Sequence, residues 1–564
     1  MKRRRSSMFS AVLSILAMLA IVALAVPVPA AAQAHHHYKL IDMGTFGGPN
    51  SLGVTLNANG VAVGSAATTV PKAPSSNPLV CGGVDGVGSV VTVGFEWQNG
   101  VLTKLGALPG PSPSICSEPF SVNNQGVIVG TSENGEIDPL TGGNATRAVL
   151  WKNGQIMDLG SLGGNQNIAF WINNYGQIAG WGTNNVPDPF SIIDSLFFAT
   201  ANGTQTRAFL WDNGKIRDLG TLGGTDAAAS FINDLGQVAG TSYTSTIPNP
   251  VTGLPPADPF LWEPPSPGFP KGRMIDLGSF GGANGFSNAL NNQGQVIGGS
   301  SIPANPGACF FLVFFPDCHP FLWSQGTLID LNTSTVGGKP LSADWFNDAT
   351  EIVGAADFSA MGGSPYDAYL WRNGVATDLG HLTGDCFSRA WGINSLGQVV
   401  GDSLKCDNQS SLVNDLANGF FRDFHHAFLW ENGSIVDLNT LIPPNSSLDL
   451  VETGPLSQVF APNINDAGEI VGFGRPPGCP NNGSGESCGH VFLLIPCDAN
   501  HPNLEGCDYS LVNASATTAA VASTSSTQDL STITPPVAAR LLMVQSRHWP
   551  SALWSRRLGA RTLK

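Results

Sequence analysis

The stretch that decides the fold runs from Phe209 to Ser242 and reads FLWDNGKIRDLGTLGGTDAAASFINDLGQVAGTS. It holds four short segments divided by turn chemistry. Phe209-Leu210-Trp211 stops at Asn213-Gly214, a pair that accepts positive φ at both places and so favours a tight hairpin. Lys215 to Leu219 stops at Gly220 and then Gly223-Gly224. Ala229 to Ile232 stops at Asn233-Asp234-Leu235-Gly236, and Gln237 to Gly240 follows. Each segment is too short for a helix and each is followed by glycine, so the stretch predicts a four-stranded antiparallel meander. One such meander cannot cover both its faces, and repeats of this kind are stable when they stack.

Copies of the stretch fill most of the chain. The tryptophan-ending strand recurs at Trp97, Trp151, Trp211, Trp262, Trp323, Trp371 and Trp430. The Asp-Leu-Gly strand end recurs at Asp158, Asp218, Asp276 and Asp378, with Asp-Leu-Asn at Asp330 and Asp437. The asparagine turn recurs at Asn57, Asn123, Asn173, Asn233, Asn291, Asn347, Asn394 and Asn465, which makes eight copies. The copy at Asn347 lacks the turn glycine. The array begins on a second strand, Tyr38 to Gly44, and ends on a first strand, His490 to Leu494. A ring explains that offset: the last strand completes the blade begun by the first. The expected fold is therefore all-β, a propeller of about eight four-stranded blades closed by pairing of the terminal strands. Seven blades and a β-solenoid are the alternatives.

Long Pro-, Gly- and Asn-rich inserts fall at one point of the cycle, between the fourth strand and the next first strand. Ser65 to Gly94, Gly182 to Arg207 and Asp402 to His425 are examples. Alternate connections of a meander emerge on one side, so the inserts share a face with the Gly-Gly turns. The opposite face carries only tight turns. Loops on a rigid scaffold are where binding sits, so the insert-bearing face is the expected contact surface.

Residues 1–34 read as a secretory signal peptide, with a basic start, an apolar run and Ala32-Gln33-Ala34 as a cleavage site. The propeller is expected over 35–509. Residues 510–537 form a Ser/Thr/Pro-rich linker, and 538–564 a basic tail too short and too charged to span a membrane. The chain carries a formal net charge of −15, and the leader and the tail hold ten of its 26 basic residues and none of its 41 acidic ones. The part between is thus strongly acidic and repels nucleic acid and anionic lipid. Ten cysteines in an exported chain predict disulfides, and nearest-neighbour pairing is the expectation: Cys81 with Cys116, Cys309 with Cys318, Cys386 with Cys406, Cys479 with Cys488, Cys497 with Cys507.

No residue reads as catalytic, cofactor-binding or metal-binding with a specific motif, and no cofactor is implied. His35-His36-His37 would chelate Cu²⁺ only with a free amine at His35, and a flexible polar start explains the run more simply. Asn233-Asp234 and Asn465-Asp466 lack the alternating carboxylates of a calcium loop, so turn geometry accounts for them. The repeated tryptophans occupy equivalent strand places and read as core. Aromatics off the pattern are the better contact candidates: Trp181, Phe197, Phe198, Tyr243, Phe310, Phe311, Phe314 and Phe315. Asp385, Asp402, Asp407 and Glu452, near His381, are the carboxylates a hydrolase reading would use. Asn144-Ala145-Thr146 and Asn202-Gly203-Thr204 are chemically competent glycan sites.

His426-Ala427-Phe428 resembles the signature triplet of the HAF-repeat family of bacterial extracellular repeat proteins, and the Leu-Trp, Asn-Gly, Asp-Leu-Gly and Leu-Gly-Gly of the repeats fit the same family. Arg207-Ala208-Phe209, Arg147-Ala148-Val149, His319-Pro320-Phe321, Asp367-Ala368-Tyr369 and His490-Val491-Phe492 are degenerate copies. The resemblance covers about Tyr38 to Pro496. It implies secretion and repetition and offers no catalytic residues. The expected function is an extracellular binding or adhesion module, a monomer whose ligand is a glycan or a protein. A propeller enzyme acting on an extracellular polysaccharide and a purely structural surface protein are the alternatives.

Overall fold

The computed structural model describes residues 34–81, 89–110, 115–197, 203–310, 313–314, 318–358, 366–405, 425–453, 463–479 and 488–513. The chain forms an eight-bladed β-propeller. Blade 1 pairs Gly47–Leu56, Ala62–Pro71, Val90–Gln98 and Val101–Lys104 in order. Blade 2 runs from Ser117–Val122 to Gln155–Asp158, blade 3 from Asn167–Ile172 to Lys215–Asp218 and blade 4 from Ala227–Ile232 to Arg273–Asp276. Blade 5 runs from Gly285–Leu290 to Thr327–Asp330, and blade 7 from Asp385–Ile393 to Ser434–Asp437. In blade 6 the first strand is split into Lys339–Pro340 and Trp345–Phe346. Blade 8 joins Asp449–Glu452, Ile470–Arg475 and His490–Pro496 to Tyr38–Asp42 from the other end of the chain. The register runs from Tyr38 opposite Pro496 to Asp42 opposite Phe492, so the ring closes as the offset termini predict.

One expectation is corrected. The stretch Phe209 to Ser242 is not one blade. Its first half is the outer half of blade 3, paired Trp211 to Ile216, and its second half is the inner half of blade 4, paired Ala229 to Gly240. The turn through Gly223-Gly224 is a connector between blades. Four antiparallel segments in a row look the same whether or not the middle turn pairs its flanks. What decides the matter is packing: an inner strand needs the next strand of its own sheet, and Gly220 to Asp226 is too long for a tight hairpin.

The hairpins between third and outer strands follow the Asn-Gly rule. Asn213 and Gly214 have φ of 49° and 81°, the two positive values that a type I′ turn requires. The repeated tryptophans are interblade core, as expected: Trp151 and Trp262 are fully buried. In the junction of blades 3 and 4, Ala179 and Leu210 pack with Ile232, Phe260 and Trp262. Burying one indole removes about 200 Å² from water, on the order of 5 kcal/mol of gross hydrophobic stabilisation.

The HAF-like triplet resolves into three jobs. In four copies its first residue pairs with the acid at the end of the outer strand of its blade: Arg147 with Asp158 and Arg207 with Asp218 at 2.9 Å, His319 with Asp330 at 2.9 Å, and His490 with Asp42 at 3.0 Å, whereas His426 turns to Asp385 of the inner strand at 3.1 Å. The same aspartates cap the following turn, as when Asp218 Oδ1 accepts the Gly220 N–H at 2.8 Å. The middle residue is buried between strands, and the phenylalanine packs on the second strand. There a glycine is obligatory, since a Cβ at Gly180 would lie 2.6 Å from Phe209 Cζ and 2.2 Å from the Ile168 carbonyl.

The asparagine turns do more than turn. Each of the eight Oδ1 atoms accepts N–H groups two and four residues on. Each Nδ2 donates to the main-chain carbonyl of the equivalent asparagine in the next blade, from Asn57 to Asn123 at 2.8 Å and onward. Asn465 Nδ2 donates to the Asn57 carbonyl at 3.1 Å and closes a ring of eight. In blade 6 the absent glycine is replaced by Thr350, held at φ 61° and donating to Gln295 Oε1 at 2.7 Å.

The disulfides Cys81–Cys116, Cys309–Cys318, Cys479–Cys488 and Cys497–Cys507 follow the nearest-neighbour pattern. The fifth expected pair includes Cys406, which lies outside the described residues. Among the described residues no helix is long and apolar enough to cross a membrane. Leu511–Asn513, at the start of the expected linker, pairs with Ala34–His36 as a two-stranded ribbon. The expected leader up to residue 33 and the tail lie outside the described residues.

Candidate functional site in the central channel

The first strands of blades 1 to 7 touch one another in order, so they are innermost and line the axis. They run from the insert-bearing face towards the asparagine ring. Most carry a bulge just before the turn, for instance between Ala169 and Trp171, Ala229 and Phe231, and Ala390 and Trp391's neighbour Gly392. A bulge re-aims side chains out of the sheet, here towards the axis. It also brings the inner backbone close to the second strand, which explains the recurring glycine opposite it.

At these positions the repeat stops repeating. Two residues before the turn asparagine stand Trp171, Phe231 and Trp345, where blades 2 and 5 have Ser121 and Ala289. Trp171 of blade 3 lies 6.0 Å from Trp345 of blade 6, and Phe231 of blade 4 lies 5.2 Å from Trp171 and 6.2 Å from Trp345. Blades 3 and 6 are not neighbours, so this contact spans the channel. The three rings form an aromatic floor above the asparagine ring. One step towards the insert-bearing face, Phe120 stacks on Phe170 at 5.4 Å.

Polar groups stand higher still. Arg389 makes a two-pronged ion pair with the buried Asp344, both contacts at 2.7 Å, and lies 4.0 Å over the Trp391 ring. Burial opposes its charge, but Asp344 outweighs this and holds the guanidinium above its ordinary range. Trp391 Nε1 donates to Asp402, and Ser342 Oγ donates to Asp344 at 2.9 Å. Glu118 occupies the place in blade 2 that Arg389 has in blade 7, five residues before the turn asparagine. Burial pushes its carboxyl up to about 8, so it is largely neutral at pH 7. Trp171, Trp345, Trp391, Arg389 and Glu118 all keep partial exposure on innermost strands.

The residues singled out from sequence fall elsewhere. His35 is fully buried in a strand with Nδ1 2.8 Å from Glu431 Oε1, and His37 Nε2 lies 3.5 Å from Asp508, so the histidine run is a clasp and not a free chelating end. Trp181 and Tyr243 are core, both 3% exposed, which removes them as contact residues. Strand position did not mark them as outward, and their faces are covered by the blade 3 insert. Phe198, Phe311 and Phe315 lie outside the described residues, as do the side chains of Phe197, Phe310 and Phe314. Asp385 accepts from His426 at 3.1 Å and Asp402 from Trp391, while His381 pairs with Asp367 at 2.7 Å. Asp407 and the Glu452 side chain lie outside the described residues. Asn144 is 1% exposed, so this sequon is not a glycan site in the folded protein, and Asn202 is outside the described residues.

Asp234 and Asp466 take N–H groups of the preceding blade, at 2.9 Å from Asn174 and 2.8 Å from Ser395. Among the described residues one group of three ligand-type side chains converges, Cys81, Cys116 and Glu133. Both sulfurs are in a disulfide, and Glu133 accepts the N–H groups of Asn77 and Cys116. The channel aromatics were missed because the repeat was read for what recurs. The signal was in what varies: Ala-Phe-Trp-Ile-Asn, Ala-Ser-Phe-Ile-Asn, Ser-Asn-Ala-Leu-Asn and Ala-Asp-Trp-Phe-Asn end the inner strands of blades 3 to 6.

No protein-family model matches the chain, and no curated protein matches it. Among solved structures it is similar to the β-propeller domain of the trilobed protease from Pyrococcus furiosus, at 9% identity over 71% of this chain and 98% of that one, with a TM-score of 0.33. It is also similar to a gluconolactonase from Xanthomonas campestris, at 11% identity over 66% and 95%, TM-score 0.24. An α-L-arabinofuranosidase from Fusarium graminearum matches at 7% identity over 66% and 93%, TM-score 0.23. At these identities no residue or activity carries over.

Proposed function

We propose that this is an extracellular binding module of the HAF-repeat type, whose ligand enters the central channel from the insert-bearing face. The observation that carries the reading is the aromatic floor of Trp171, Phe231 and Trp345, set where other blades have small residues. The chemistry fits a carbohydrate. Apolar ring faces of a sugar stack on indole, and its hydroxyls meet Arg389 and the neutral carboxyl of Glu118. The acidic exterior argues against a polyanion such as nucleic acid. Secretion is supported by the leader-like start and the disulfides.

The test is a glycan array with the secreted protein, followed by calorimetry on the hits. Trp345→Ala is expected to weaken binding at least tenfold while leaving the melting temperature within a few degrees. An array blank in the presence and absence of calcium overturns the sugar reading.

Glu118 favours a second reading. A carboxyl that keeps its proton at neutral pH is suited to protonate a glycosidic oxygen as general acid. Release of reducing ends from an array hit, lost in Glu118→Gln and declining as pH rises through about 8, would establish it.

A further inference from the structure

Two equivalent junctions hold the insert-bearing face of blades 2, 3 and 4 together. In the first, Asp138 follows the long second strand Ile128–Ile137, and Gln166 lies in the connector entering blade 3. Gln166 Nε2 donates to Asp138 Oδ2 at 2.8 Å, and Asn165 Nδ2, Leu140 N and Thr141 Oγ1 supply the remaining donors. In the second, counting from Ile178 and from Asn233, the same places are held by Asp188 and Asp226. An amide donor in one junction is a carboxyl in the next.

Asp188 and Asp226 are 2% and 0% exposed. Asp188 Oδ1 accepts the Phe190 N–H at 2.8 Å, and Asp226 Oδ2 accepts the Ile192 N–H at 2.7 Å. Their other oxygens, Asp188 Oδ2 and Asp226 Oδ1, are buried with no donor. The two carboxyl groups lie within hydrogen-bonding reach of each other. Tyr243 faces both from blade 4, and its hydroxyl donates to the Phe190 carbonyl at 3.1 Å. The groups acting on Asp226 are Asp188 and the main-chain N–H groups of Ile192 and Thr206, with no basic side chain among them.

We propose that Asp188 and Asp226 share one proton, which ties blade 3 to blade 4 as the Gln166 amide ties blade 2 to blade 3. A single hydrogen satisfies both bare oxygens, with Asp226 donating and Asp188 accepting. Two carboxylates in the same place would be buried like charges without solvent. Burial, and then Asp188, holds Asp226 well above the usual carboxylate range.

The pair makes the rim of the channel sensitive to pH. Asp226 anchors the turn Ile192–Phe197 of the blade 3 insert, and Asp194 ties that turn to Thr204 N at 2.9 Å and Thr204 Oγ1 at 2.7 Å. Ile192 and Ile193 pack with Trp181, Tyr243 and Phe120, and Phe170 and Trp171 of the channel pack against the same cluster. Loss of the proton sets two negative charges under the turn and loosens it. The folded state keeps this proton to higher pH than the unfolded chain does. The folding constant therefore falls tenfold per pH unit from the ordinary aspartate value up to the raised one, then levels off.

The proton reading stands independently of any ligand, and so does its test on the whole secreted protein. Infrared spectra at pH 7 are expected to show a protonated carboxylic C=O band lost in Asp226→Asn and in Asp188→Asn, distinct from the one lost in Glu118→Gln. Hydrogen exchange of the 190–197 segment, corrected for intrinsic rates, is expected to quicken at alkaline pH in the wild type and to stay flat in Asp226→Asn, whose amide donates at every pH. An unchanged carboxylic band in both Asn variants would overturn the proposal. So would calcium binding to chelator-treated wild type that Asp226→Asn abolishes, since a metal ion would then bridge the pair.

Discussion

Asn233 uses every hydrogen-bonding position of its side chain. Its oxygen takes the N–H groups of Leu235 and Gln237 at 3.1 and 3.0 Å, and its nitrogen gives to the Asn291 carbonyl at 2.9 Å and to Gln237 Oε1 at 2.8 Å. Asn233→Ala strips a turn of its internal acceptor and the neighbouring blade of a buried donor. The expected cost is about 2–4 kcal/mol, read by denaturant unfolding, because the abandoned groups are buried. Asn233→Asp should cost at least as much, since it keeps the acceptor but sets a buried carboxylate oxygen against the Asn291 carbonyl and Gln237 Oε1. The turn role of this asparagine was legible in Asn-Asp-Leu-Gly. The donation to the next blade was not, because a sequence shows which residue recurs and not what lies beside it in the ring.

Within one blade, the second-strand glycine and the triplet acid are the informative elements. A Cβ on Gly240 would sit 2.1 Å from the Ala228 carbonyl and 2.7 Å from the Phe260 ring. Gly240→Ala must push the inner strand off its bulge, and a loss of about 3 kcal/mol is expected in thermal unfolding. Blade 4 breaks the triplet rule: Asp258 stands where blade 3 has Arg207, beside the outer-strand Asp276. Burial, and then Asp276, pushes Asp258 up to about 6. The sign follows from the raised value. The folded state holds the proton longer than the unfolded chain, so stability from this group is full at about pH 4 and is lost as pH rises to about 6. Asp258→Arg should restore the pairing seen in blade 3. The expected gain is about 1 kcal/mol at pH 7 after solvent screening, with a flatter stability curve between pH 4 and 6. The strands themselves were readable from turn residues and apolar runs. Their grouping into blades was not, because the connector Gly220 to Asp226 carries the same glycine punctuation as a hairpin.

The whole molecule is held shut at one seam. Tyr38–Asp42 pairs with His490–Pro496, His35 reaches Glu431, and Asn465 reaches Asn57. A protein lacking residues 34–42 leaves the His490–Pro496 edge bare, and it is expected to aggregate or to melt at much lower temperature. The described ends lie side by side, Ala34 opposite Asn513. A circular permutant joining them through a short linker, with new ends between Asn213 and Gly214, should fold and melt within a few degrees of the parent. The ring was foreseen because the array starts on one strand type and ends on another. The channel was not, since its lining is written in the few inner-strand positions that differ from copy to copy.

The offset between sequence repeat and blade has a consequence for inheritance. A duplication or deletion that cuts at equivalent points of two copies removes or adds two half-blades from different sheets, such as the outer half of blade 3 with the inner half of blade 4. The flanking halves that remain carry matching edges, so the new junction pairs as the old ones did. Each copy also brings its own asparagine donor and its own carbonyl acceptor, so the circle has no first or last member. Copy number can therefore drift by whole units while every sheet stays four strands wide, and selection is left to act on the inner-strand positions that set what the channel holds.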